Sequence, residues 1–95
     1  MYKMLVIEDE PATIYGIKTA VNWERLDITI CGEPSDGLEA YPLIEDLRPD
    51  IILCDIRMPK MDGITLISEI QPRYPEIKVI FISGYSDKEY LKKAI

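Results

Sequence analysis

Short apolar runs alternate along this chain with longer stretches in which apolar residues recur every three or four positions. That alternation predicts the order βαβαβαβα, and hence a parallel sheet covered by helices on both faces. Met4-Leu5-Val6-Ile7 reads as the first strand, and its continuous hydrophobicity suits a strand buried on both sides. Pro11 fits the first turn of a helix over residues 11–21, with Ile14, Ile17 and Val21 as its buried stripe and Trp23 in the connection that follows. Residues 28–31 read as the second strand. Ser35-Asp36-Gly37 then reads as the turn and cap of a second helix carrying Leu38, Tyr41, Ile44 and Leu47 inward. Pro42 interrupts that helix at a cost of about 3 kcal/mol, so a kink or a start near Pro42 is expected. After Arg48-Pro49-Asp50, residues 51–54 form the third strand, followed by a loop through Gly63, a helix over 64–70, and a connection punctuated by Pro72 and Pro75. Residues 78–82 are the fourth strand, 83–86 a loop, and Asp87 the cap of a last helix.

Ninety-five residues suffice for one domain, spanning 1–95 without linker, repeat or low-complexity tract. At 47% hydrophobic and 29% charged the chain is of ordinary globular type. A net charge of −6, with no stripe of Lys and Arg, argues against direct binding of nucleic acid. No apolar run approaches the roughly 18–20 residues needed to cross a bilayer, and the first residues lack the pattern of a secretory signal, so a cytoplasmic protein with no membrane association is expected. Cys31 and Cys54 each lie inside a strand-like run, where a free thiol acts as a small hydrophobe rather than half of a disulfide.

Candidate chemistry sits at strand ends. Glu8, Asp9 and Glu10 directly follow the first strand, and Asp55 follows the third. In open α/β sheets ligands bind outside the carboxyl ends of the strands, where strand order reverses, and in the order 2-1-3-4-5 that point lies between strands one and three. The acids therefore converge on one pocket, and carboxylates so close repel each other unless a cation or a proton relieves them. Oxygen-only ligands, in a chain without histidine, describe a Mg²⁺ site better than a zinc site. A carboxylate is ionised at neutral pH and attacks phosphorus without a general base, which makes Asp55 the candidate nucleophile. The plain structural alternative is that Asp9 or Glu10 merely caps the following helix. An Asp ending an apolar run and followed by Met58-Pro59-Lys60-Met61-Asp62-Gly63 is a more specific signature.

Val6-Ile7-Glu8-Asp9-Glu10, Ile51-Ile52-Leu53-Cys54-Asp55-Ile56-Arg57-Met58-Pro59, Met61-Asp62-Gly63 and Val79-Ile80-Phe81-Ile82-Ser83-Gly84 together resemble a bacterial response-regulator receiver domain. The resemblance implies a flavodoxin-like (CheY-like) doubly wound parallel sheet of order 2-1-3-4, C-terminally incomplete, with the fifth strand and last helix of the family missing. It implies Asp55 as phosphoacceptor, a Mg²⁺ site made of Glu8, Asp9, Asp55 and the backbone carbonyl of Arg57, Ser83 as switch hydroxyl and Gly84 as a backbone contact to the phosphoryl group. Asp9 would bind the metal directly and Glu8 through water; Glu8 stands where receivers often carry Asp. Tyr85 is a candidate for tuning access. Trp23-Glu24 and Ser83-Gly84-Tyr85 also resemble receivers joined to AraC-type DNA-binding domains.

The function so implied is two-component signal transduction: a phosphoryl group passes from a sensor histidine kinase to Asp55 and switches an output DNA-binding domain absent from this chain, without enzymatic turnover. The family's phosphoryl-pairing lysine lies beyond Ile95, and Lys88, Lys92 and Lys93 read as a solvated face. Dimerisation through the fourth-strand edge or the last helix is a further expectation. Two alternatives are an inactive receiver fragment and a Mg²⁺-dependent phosphatase with an aspartyl nucleophile. The phosphatase family wants a second Asp where Arg57 stands.

Overall fold

The computed structural model describes residues 1–82. The expected loop after the fourth strand and the helix capped by Asp87 lie outside the described residues. In chain order the elements are β1 (Tyr2–Ile7), α1 (Pro11–Ala20), a 3-10 turn (Glu24–Leu26), β2 (Ile28–Gly32), α2 (Gly37–Leu47), β3 (Ile51–Asp55), α3 (Gly63–Ile70) and β4 (Lys78–Ile82). The strands form one parallel sheet of order β2-β1-β3-β4, the reversal of direction falling between β1 and β3.

Each strand comes from one of the expected apolar runs. Met4 to Ile7 are all buried, as a central strand covered on both faces requires. β1 begins at Tyr2, earlier than the apolar run, because the Tyr2 N–H donates to the Asp27 carbonyl at 2.8 Å and pairs that end with β2. The core joins Leu5, Ile7, Ile52 and Cys54 of the sheet to Ala40 and Ile44 of α2 and Leu66, Ile67 and Ile70 of α3. Ile44 is fully buried, and a side chain of that size removed from water contributes about 1.5–3 kcal/mol.

Three expectations are corrected. Helix α1 stops at Ala20, and Val21 is already extended (φ −128°, ψ 138°), so Val21 leaves the helical stripe. Ile14 and Ile17 are half-buried and no α1 residue is fully buried. On α2, Leu38 is 54% exposed, and Ala40 and Ile44 hold the buried face. Steps of three residues drift backwards by about 60° each on a helix, so Leu38 lies roughly half a turn from Leu47. Finally, α2 starts at Gly37 rather than near Pro42 and runs through the proline. The carbonyl that Pro42 leaves without an N–H partner belongs to Leu38, which is exposed and can be hydrated.

Candidate functional site

The register of β1 against β3 pairs Ile7 with Cys54, so Glu8, just past β1, and Asp55, the last residue of β3, come side by side at the same end of the sheet. Asp9 comes next in the chain. One carboxylate oxygen from each of Glu8, Asp9 and Asp55 lies within 4.8 Å of the other two. Burial grades across the cluster: Glu8 is 3% exposed, Asp55 half-buried and Asp9 exposed.

Glu8 Oε2 accepts hydrogen bonds from the Asp9 N–H at 2.9 Å and the Glu10 N–H at 3.2 Å. Burial nevertheless raises its pKa from 4.5 to about 7; the backbone bond from Glu10 opposes the rise, and the neighbouring carboxylates of Asp9 and Asp55 add to it. The cluster thus carries more negative charge than its surroundings stabilise. Glu10 stands at the N-cap of α1, yet its side chain makes no capping bond. Asp36 and Asp62, by contrast, do cap: each accepts from the N–H three residues on, Glu39 and Thr65, at 2.8 Å.

The loop after Asp55 is fastened at both ends. The Gly63 N–H donates to the Ile56 carbonyl at 2.9 Å, and a Cβ on Gly63 would sit 2.2 Å from the Asp55 carbonyl oxygen, so only glycine allows this closure. Lys60 takes a left-handed conformation (φ 66°), and its ammonium lies 3.9 Å from the buried Asp36 carboxylate. Between this loop and Asp9 opens a cleft of about 380 Å³ lined by Asp9, Arg57, Met58, Pro59, Lys60 and Asp62. Behind it the Cys54 thiol donates to the Asp55 carbonyl at 3.2 Å, and burial, with the charges of Asp55, Asp62 and Glu8, pushes its pKa up to about 12. Cys54 and Cys31 are both free, and at Cys54 the thiol is chemically quiet, as a structural role requires.

Of the residues singled out from sequence, Glu8, Asp9 and Asp55 come together, and Arg57 lines the adjoining cleft. β4 ends at Ile82, paired with Asp55, and the proposed Ser83, Gly84 and Tyr85 lie outside the described residues. Sequence reading missed the packing roles of Gly37, Met61 and Gly63. The two Asp-Gly pairs, Asp36-Gly37 and Asp62-Gly63, signalled a cap and a turn but not a close approach of backbones. The donor set suits a hard divalent cation: it is all oxygen, partly open, and crowded with charge that a cation would relieve. No helix among the described residues is long and apolar enough to cross a membrane.

The response regulator receiver domain family matches residues 4–95. A transcriptional regulatory protein of Bacillus subtilis (strain 168), YesN, is 36% identical over 95 residues, which are 100% of this chain and 26% of that protein. The chain therefore spans about a quarter of that relative's length. The crystal structure of a two component transcriptional regulator AraC from Clostridium phytofermentans ISDg matches with a TM-score of 0.90 and 42% identity, over 100% of this chain and 74% of that one. A chain of the CheX-CheY-BeF3-Mg²⁺ complex from Borrelia burgdorferi matches with a TM-score of 0.83 and 28% identity, over 98% of this chain and 69% of that one. The sheet order and these likenesses make the fold CheY-like.

Proposed function

This chain belongs to the response regulator receiver domain family, and we propose that Asp55 is its phosphoacceptor, charged from a sensor histidine kinase with Mg²⁺ held by the acidic cluster. The observation that carries the reading is the convergence of Glu8, Asp9 and Asp55 at the switch point of the sheet, with Glu8 buried at the cost of a pKa near 7.

Asp55 is the half-buried member of the trio, its main chain held by the Gly63 contact, and its carboxylate, beside that of the cleft-lining Asp9, is an acceptor needing no base. One of its oxygens forms a bond to phosphorus while the phosphorus–nitrogen bond of the donor phosphohistidine breaks; the electron pair stays on the imidazole nitrogen, which takes a proton from solvent. Asp9, exposed beside it, would hold the cation directly, Glu8 would act on it through water, and the backbone carbonyl of the cleft-lining Arg57 would add a neutral oxygen. Bound there, the divalent cation offsets the charge of the carboxylates and of the transferring oxygens. Ser83 and Gly84, next in the chain after β4, are assigned the hydroxyl and N–H contacts to the phosphoryl group.

In this reading the domain is a cytoplasmic switch whose output is a DNA-binding domain on the rest of a longer regulator, as the lengths of its relatives suggest. Phosphorylation would change the surface beyond β4, one of the two edge strands among the described residues, where Ile80 is 55% exposed and pairing with a second copy would occur. Incubation with Mg²⁺ and acetyl phosphate, followed by intact mass, tests the reading. One added phosphoryl group, lost in Asp55→Asn and without Mg²⁺, is expected. A folded protein that gains no mass, or an Asp55→Asn variant that gains as much, refutes it.

A further inference from the structure

We infer that Gly37 is a positioning residue for Asp55, acting through Met61; the inference rests on the phosphoacceptor reading above. Gly37 opens α2, where Asp36 already supplies the cap. No described glycine has a positive φ, so the backbone at Gly37 does not require glycine. What requires it is space. A Cβ there would lie 2.7 Å from Met61 Cγ and 2.8 Å from both Met61 Cβ and the Met61 carbonyl oxygen, and the Gly37 N–H donates to that same oxygen at 3.1 Å.

Met61 cannot retreat freely, because it packs against the buried core on its inner side. Its main chain belongs to the loop that begins at Asp55 and closes at Gly63, which itself leaves no room for a methyl group against the Asp55 carbonyl. The Lys60–Asp36 pair ties the same corner of the loop to the same helix end. The first turn of α2 and the phosphoacceptor are thus linked by successive backbone contacts, Gly37 to Met61 and Gly63 to Asp55. A methyl group at position 37 displaces the loop's main chain, and the carboxylate of Asp55 moves with it.

Gly16 provides the control. It lies in mid-helix α1, and a Cβ there would meet nothing within 4 Å, so Gly16→Ala adds the same methyl to a helix without touching the loop. Gly37→Ala, Met61→Ala and Gly16→Ala are compared with the unaltered chain by amide exchange and by the rate of phosphoryl uptake from acetyl phosphate. Gly37→Ala is expected to cut protection of the Gly63 N–H by roughly tenfold or more while the amides of Ile44 and Leu47 in α2 keep theirs. Phosphoryl uptake is expected to slow by roughly tenfold to a hundredfold, as when a reacting group is displaced by a fraction of an ångström to 1 Å. Met61→Ala, which adds no atom, is expected to act in the same direction more weakly, and Gly16→Ala on neither readout.

Unchanged Gly63 protection in both Gly37→Ala and Met61→Ala overturns the link. Lost protection with uptake equal to that of the unaltered chain overturns the positioning role. If the unaltered chain takes up no phosphoryl group, the phosphoacceptor reading fails on that result alone, and the Gly63 amide still decides whether Gly37 holds the loop.

Discussion

Replacing Glu8 with Gln should make the metal-free protein more stable at pH 8, although it removes a charge from the acidic cluster. Glu8 is 3% exposed and has a pKa near 7, against 4.5 when unperturbed. Between those values the folded chain binds a proton that the unfolded chain has released, so stability falls as pH rises, by up to about 1.4 kcal/mol per unit. The contribution is fully present below about pH 4.5 and gone above about pH 7. Across the window the loss is on the order of 3 kcal/mol, and residual solvation and movement of Asp55 reduce it toward about 1 kcal/mol. Gln keeps the acceptor oxygen for the Asp9 and Glu10 N–H groups, and its amide can donate to the Asp55 carboxylate. The assay is urea unfolding in chelator at pH 5, 6, 7 and 8, with the urea slope m checked for constancy. The unaltered chain should lose stability between pH 5 and 7, and Glu8→Gln should lose less and exceed it at pH 8. Added Mg²⁺ at pH 8 should narrow the gap by stabilising the unaltered chain more. Equal stabilities at pH 8 with parallel pH profiles would refute the reasoning, because Glu8 would then not be the group whose burial sets the slope.

Gly63→Ala should destabilise the fold by more than about 2 kcal/mol in urea unfolding, since its methyl would meet the Asp55 carbonyl at 2.2 Å and backbone must move. Ile44→Ala should cost about 2–5 kcal/mol and Leu38→Ala within about 0.5 kcal/mol, a contrast between the buried and exposed faces of α2 that the same assay reads directly. Asp36→Ala should lose about 1 kcal/mol with the cap, while Asp36→Asn, an equally good cap, should keep most of it in thermal unfolding.

The strands were the most legible part of the chain because buried parallel strands leave unbroken apolar runs, and Met4-Leu5-Val6-Ile7 could hardly be anything else. Helix faces were less so. Leu38 and Val21 are apolar and fall at helical spacing, yet Leu38 faces water and Val21 lies past the helix end, because periodicity alone does not say which of several apolar residues the sheet will cover. Pro42 signalled a kink or a helix start near it, and α2 nevertheless starts at Gly37, since the unpaired carbonyl the proline creates is on the wet side of α2. The acids of the site were legible from topology: parallel strands one and three must deliver their ends to the same place. Burial of Glu8 beside an exposed Asp9 was not, because it depends on how the loop from Pro34 folds over β1, where the Glu8 N–H donates to the Pro34 carbonyl at 3.1 Å. The Gly37–Met61 contact was equally hidden, joining residues far apart in the chain through a space that only the packed helices define.

The most direct test of the central claim is to locate the phosphoryl group itself. Reduction of the acetyl phosphate-treated protein with borohydride converts an aspartyl phosphate to homoserine, and peptide mapping then identifies the residue. Homoserine at position 55, dependent on Mg²⁺, is the expected result. Homoserine at Asp9 or another aspartate, hydroxynorvaline at a glutamate such as Glu8, or a phosphoryl group that survives as an ester on a hydroxyl residue, would contradict the account.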